Sequence, residues 1–195
     1  MFSQDPKMKN KNFYSATMLT RYINCKHTIT NEFNEQKLKL KRLPRTFADN
    51  LRLEKGLLHE ANYFKELSKK YNKVKNIKKL KDLSKEEKIE ETIKALKSGY
   101  ELIYGGWLKS GDWSGELDFL EINQKTKSNL GDWSYEIIDA KNSSNVKGDH
   151  IYQVCLYSFL LQDIQGVLPE NFYILLKDQN RETIKLKEAY DTFLL

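Results

Sequence analysis

Between residues 101 and 141 lie three apolar, aromatic and β-branched runs, ELIYGGWL, WSGELDFLEI and WSYEIIDAK. Gly-, Asn- and Asp-rich stretches at 109–112 and 123–132 separate them. Side chains of the first kind fit a pleated, half-buried surface, and residues of the second kind break such a surface into turns. The pattern predicts three consecutive strands, mostly antiparallel. A meander of this kind has two faces to cover, so the flanking segments must supply the cover.

Those flanks are largely helical in period. Residues 15–25, SATMLTRYINC, read as a short helix with a hydroxyl N-cap at Ser15 or Thr17. Residues 49–71 read as a long helix with Leu53, Leu57, Glu60, Phe64, Leu67 and Tyr71 on one face at four-three spacing. Ser84 and Glu87 form a capping box ahead of KIEETIKALKSG, a helix that buries Ile89, Ile93 and Leu96 and stops at Gly99. Helical period returns at 149–163, NFYILLKD at 171–178 reads as a strand, and EAYDTFLL as a helix just begun. Residues 26–48 contain Pro44 and keep no steady period, so they read as a loop or short irregular elements; a short strand fits around Val74 and Ile77. The expected fold class is α/β, a mixed central β-sheet flanked on both sides by α-helices. It occupies 15–195 as one domain after a frayed, polar N-terminus at 1–14. The chain ends on two uncapped leucines, which leaves open whether it is whole or the N-terminal part of a longer protein.

Composition narrows the function classes. Apolar residues are only 39% of the 195, but they are clustered, which argues against disorder throughout. The net charge of +6 favours a polyanionic partner. Lys69, Lys70, Lys73, Lys75, Lys78, Lys79 and Lys81 make a basic segment that either tracks a phosphate backbone or is a solvated face. Cys25 and Cys155 are too far apart to form a zinc or iron–sulfur spacing. Neither a signal peptide nor a run of about 18 apolar residues is visible. The expectation is a soluble, cytoplasmic protein with no membrane partner.

Chemistry concentrates at four places. In YEIIDAK, alternation on a strand puts Asp139 and Lys141 on one face at the end of an apolar run, and Glu136 on the other. Asp118 interrupts GELDFL between Leu117 and Phe119, where an acid is costly unless paired or metal-bound. A hairpin joining these two strands would bring Asp118 and Asp139 within a few ångströms, as metal binding requires. Glu60 takes a core-facing position where Leu or Phe would be ordinary, and such a glutamate wants a cation. His59 is turned about 100° away and falls on the polar side of the helix. Gln153 and Tyr157 share a helix face at i and i+4, both able to hydrogen-bond a substrate, while Cys155 reads as a core residue. Any one of these has an ordinary structural explanation, such as an ion pair at a strand end or a glutamate at the edge of a stripe. Together, Glu60, Asp118, Asp139 and the main-chain carbonyl of Ala140 make a hard oxygen set for one or two Mg²⁺ or Mn²⁺ ions. Lys141 would orient or deprotonate a water, or stabilise charge on a phosphate.

In order and approximate spacing, Gly56-x-x-x-Glu60, Gly115-x-x-Asp118, Asp139-x-Lys141 and Gln153-x-x-x-Tyr157 resemble the motifs of RecB-like PD-(D/E)xK nucleases. SATMLTRYINCKHTIT, GDWSYEIIDAK and YQVCLYSFLLQDIQGVLPE look like one branch of it, the predicted RecB-family nucleases that often precede an RNase H-like domain and sometimes a helicase. The resemblance implies a restriction-endonuclease-like core and metal-dependent cleavage of DNA, from duplex ends or on single strands, in repair, recombination or processing. It implies a helicase or RNase H-like domain in cis or trans as partner. Many members place a histidine where this chain has Glu60, so His59 is an alternative first ligand. Iron–sulfur members use four cysteines, so no cluster is expected with two. The proline of the family name is missing before Asp118. The competing expectation is a catalytically inactive nucleic-acid-binding or scaffold domain of the same fold.

Overall fold

The three predicted strands form the middle of a six-stranded sheet in a computed structural model that describes residues 13–193 apart from 36, 38 and 42. Most of the N-terminal segment expected to be frayed, residues 1–12, lies outside the described residues. Strand β1 (Val74–Asn76) pairs parallel with β2 (Leu102–Ser110). Antiparallel pairings then join β2 to β3 (Trp113–Asn123) and β3 to β4 (Ser134–Ala140). Strand β5 (Asn171–Leu175) lies parallel to β4, and β6 (Arg181–Lys185) closes the far edge antiparallel to β5. Each parallel pair needs a crossover. Helix α4 (Lys85–Lys97) crosses from β1 to β2, and α5 (Gly148–Gln165) from β4 to β5.

Helices cover both faces, as expected. On one side Leu96 of α4 and Val154 and Leu161 of α5 pack on Ile103, Leu120, Tyr135 and Ile137. On the other, Tyr63, Phe64 and Leu67 of α3 (Phe47–Leu67) pack on Leu102, Tyr104, Phe119, Ile138 and Leu175. The helical stripe holds from Glu60 onward. Leu53 and Leu57, expected in the core, are instead exposed, so only the second half of α3 packs on the sheet. Tyr71 lies beyond the helix, after a 3-10 turn at Ser68–Lys70. Helix α1 (Ala16–Asn24) takes Ser15 as its cap, the hydroxyl accepting from Met18 N–H at 3.2 Å. Two elements depart from the sequence expectation: 26–48 contains α2 (Lys26–Phe33), and β6 precedes the last helix, α6 (Leu186–Phe193).

Ser84 caps α4 as expected. Its hydroxyl accepts from Glu87 N–H at 3.2 Å, and Glu87 Oε2 accepts from Ser84 N–H at 2.7 Å. Ser84→Ala should lower stability by about 1 kcal/mol, the ordinary worth of such a cap. A urea titration checks this: a lower midpoint at unchanged slope is expected, and an unchanged midpoint would remove the cap from the account.

One irregularity positions the site. Strict alternation would separate Ile103 from Leu108 and Leu117 from Leu120, yet all four pack on the same side. The slip occurs at facing positions. Tyr104 pairs with Phe119 and Gly106 with Leu117, but Gly105 and Asp118 between them drop out of the ladder. Gly105 takes φ +70°, which a glycine adopts at no steric cost. The paired slip takes Asp118 out of an apolar ladder and turns it toward the end of β4.

Candidate active site

The β3–β4 ladder stops at Phe119 opposite Ile138. One step further would pair Asp118 with Asp139. Instead the strands part, and Asp118 Oδ2 accepts the main-chain N–H of Ala140 at 2.8 Å. This bond seats the Asp118 carboxylate beside the last residues of β4. Lys141 N–H donates to Leu175 O at 2.8 Å, which fixes that strand end against β5.

Alternation along β4 places Asp139 and Lys141 together, as the sequence predicts. Lys141 Nζ lies 2.7 Å from Asp139 Oδ2 and donates to Gln153 Oε1 at 2.9 Å. Gln153 Nε2 in turn donates to the Tyr157 hydroxyl at 3.3 Å. Gln153 and Tyr157 thus reach the acid–lysine pair from α5 by a continuous chain of contacts. Asp139 is only 3% exposed, and its Oδ2 has no well-aligned hydrogen bond besides the ion pair. Burial pushes its pKa up to about 6, Lys141 opposes the shift, and Asp118 adds to it. Burial works against the Lys141 charge, but Asp139 and Asp118 outweigh it and hold the lysine protonated. Glu136 faces away and accepts from the Tyr173 hydroxyl at 2.7 Å, in keeping with its exclusion from the site.

Glu60 reaches the same region from the opposite face of the sheet. It is 7% exposed, and its pKa is pushed up to about 7, first by burial and then by the charge of Asp118. An ion pair with Lys78 limits the rise. Asp118 is therefore the carboxylate whose field reaches both Glu60 and Asp139.

His59 corrects the sequence expectation. It is buried beside Glu60 rather than set on a polar face, because the β5–β6 turn covers that side of α3. Its Nδ1 lies 3.4 Å from Gln179 Nε2, and its Nε2 is buried with no hydrogen-bond partner. Lys78 and Gly105 belong to the site and carry no signal of their own in the sequence. Lys78 is one lysine among seven in its segment, and Gly105 is one glycine in a Gly-Gly pair.

A hard divalent ion suits the chemistry of this donor set. Asp118, Asp139 and the Ala140 carbonyl come together at the end of β4, and two of the three acids have raised pKa values. The present side-chain arrangement is not a closed cage. Among the described residues no three of His, Cys, Asp and Glu stand together as an ion-holding group. Lys78 and Lys141 supply the balancing positive charge. Of the cysteines, Cys25 is exposed and Cys155 is buried in the core.

The raised Glu60 pKa has a consequence for stability. The folded chain holds a proton on Glu60 up to about pH 7, whereas an ordinary glutamate loses it near 4.5. Between those values the native state binds more protons than the unfolded one, so stability falls as pH rises. Glu60→Gln should flatten this part of the Tm-against-pH curve. An identical slope in the variant would contradict the assignment.

No helix among the described residues is long and apolar enough to cross a membrane. No protein-family model and no curated protein sequence matches the chain.

Proposed function

We propose that the chain is a divalent-metal-dependent nuclease of the RecB-like PD-(D/E)xK type, hydrolysing phosphodiester bonds of DNA from ends or on single strands. The core would then be restriction-endonuclease-like, and the setting cytoplasmic DNA repair, recombination or processing, with a helicase or RNase H-like domain as partner. One observation carries this: β3 and β4 part at the step where Asp118 and Asp139 would pair, and Asp118 binds the Ala140 N–H with Lys141 held on Asp139 beside it.

Asp118, Asp139 and the Ala140 carbonyl would hold the ion, with Glu60 completing the set from α3 and His59 as its alternative. When bound, Mg²⁺ or Mn²⁺ lowers the pKa of a coordinated water and offsets charge developing on the scissile phosphate. Lys141, kept protonated by its acidic neighbours, presents an ammonium to a phosphate oxygen or to the attacking water. Gln153 limits where that ammonium can go, and Tyr157 limits Gln153. The basic segment at 69–81 and the net charge of +6 suit a phosphate backbone.

The test is degradation of end-labelled single- and double-stranded DNA with Mg²⁺ or Mn²⁺. Loss of product in EDTA and in Asp139→Ala and Lys141→Ala is expected. Activity that survives both substitutions would reject the proposal. At subsaturating metal, activity should also fall as pH drops through about 7, where a proton on Glu60 competes with the ion. A flat profile across that value would remove Glu60 from the ion's ligands.

The absence of a closed three-acid group among the described residues favours a second reading, an inactive nucleic-acid-binding or scaffold domain. Tight DNA binding in EDTA, with no cleavage across several metals and substrates, would select it.

A further inference from the structure

The acidic site already contains a cation on its α3 side. Lys78 Nζ pairs with Glu60 Oε1 and lies 3.7 Å from Glu116 Oε1. The lysine is not loosely placed. The main chain just before it is pinned by Ile77 N–H donating to Tyr104 O at 2.9 Å. Its stem passes over Gly105, where any β-carbon would overlap Lys78 Cγ. Its ammonium lies 5.1 Å from the centroid of the Tyr104 ring. That ring is itself fixed, stacked between Phe64 at 4.3 Å and Phe119 at 5.1 Å.

A lysine at an open surface gives up rotamer freedom for a weak ion pair. Here a left-handed glycine and an aromatic stack order the side chain in advance, with its charge facing Glu60, Glu116 and the field of Asp118. An ammonium and a divalent ion repel, so each weakens the other's hold on the Glu60 carboxylate.

We propose that Lys78 is a resident counter-ion of the acidic site, which a divalent ion displaces from Glu60 toward Glu116. The inference rests on the metal-dependent function proposed above. Lys78 then sets how much free metal the site needs. Glu116, half-exposed and already near the lysine, gives the displaced ammonium a second carboxylate.

The test is Mn²⁺ binding by titration calorimetry on the full chain without DNA, at about pH 8, above the range in which Glu60 titrates. Removing an opposite charge at contact distance corresponds to about a tenfold change, so Lys78→Met should bind Mn²⁺ about tenfold more tightly. Glu116→Gln should bind it more weakly, since the lysine then has only Glu60 to hold. In a Glu60→Gln background, Lys78→Met should no longer change Mn²⁺ affinity. Lys78→Gln, which keeps a polar tip, provides the same charge loss if the methionine variant fails to fold. Mn²⁺ affinity unchanged or weakened in the folded Lys78 variants overturns the inference. If the wild-type chain nevertheless cleaves DNA, only the role of Lys78 falls. If it neither binds Mn²⁺ nor cleaves, both proposals fall together.

Discussion

Asp139→Asn should reduce DNA cleavage on the order of 10³-fold or more, the scale on which a single preorganised charge-stabilising group acts in an active site. The substitution keeps the shape of the side chain and removes only its charge. Two functions go with that charge: the anionic oxygen offered to the ion, and the partner of Lys141 at 2.7 Å. The second loss has a structural side. Lys141 would be left buried without its counter-charge, and breaking a buried pair from one side typically costs about 3–5 kcal/mol. A dead enzyme alone would therefore not separate chemistry from folding. The double variant Asp139→Asn/Lys141→Met separates them, because it removes both charges at once. Its thermal stability should recover most of what the single variant loses, while its activity stays absent. Recovery of activity along with stability would mean that Asp139 serves only to neutralise the lysine.

The second large effect concerns a residue with no side chain. A β-carbon at Gly115 would overlap Tyr157 Cε1 and sit 3.2 Å from the Tyr157 hydroxyl oxygen. Tyr157 is buried and cannot swing into solvent. Forcing an extra carbon into such a contact typically costs about 1–3 kcal/mol, and Gly115→Ala is expected within that range. The displacement also propagates, since Tyr157 contacts Gln153 and Gln153 holds Lys141. Cleavage should therefore fall more than stability alone explains. Gly115→Ala/Tyr157→Leu, with space restored, should regain stability without regaining activity. A urea midpoint unchanged by Gly115→Ala would show that the ring can yield, and would break the proposed link from α5 to the lysine.

The meander and its acids were legible because strand alternation is local. YEIIDAK needs only period two to place Asp139 beside Lys141 and Glu136 opposite, and both placements hold. The capping box at Ser84 is equally local. Most of the failures depend on a partner distant in the chain. Helix α2, KHTITNEF, buries only Ile29, so it shows little apolar period. Strand β6, RETIK, has Ile184 as its single apolar residue and gains support from Arg181, which pairs with Glu121 across the sheet. For His59 the helix rotation was right and the environment wrong, because the turn bearing Gln179 closes over the supposed polar side. Leu53 and Leu57 erred the other way, having the correct period on turns that stay exposed. The slip at Gly105 and Asp118 involves two strands at once, so no single run of sequence encodes it. Lys78 became visible only when Tyr104 and Gly105 placed it over Glu60.

Whether one ion joins the carboxylates of β3 and β4 can be seen directly in a crystal grown or soaked with Mn²⁺, using the metal's anomalous signal. The expected result is a peak at the parting of the two strands, with oxygens of Asp118 and Asp139 at about 2.2 Å and the Lys78 ammonium moved off Glu60. A fully occupied Mn²⁺ peak elsewhere, with Asp118 still bound only to Ala140 N–H, would contradict the account.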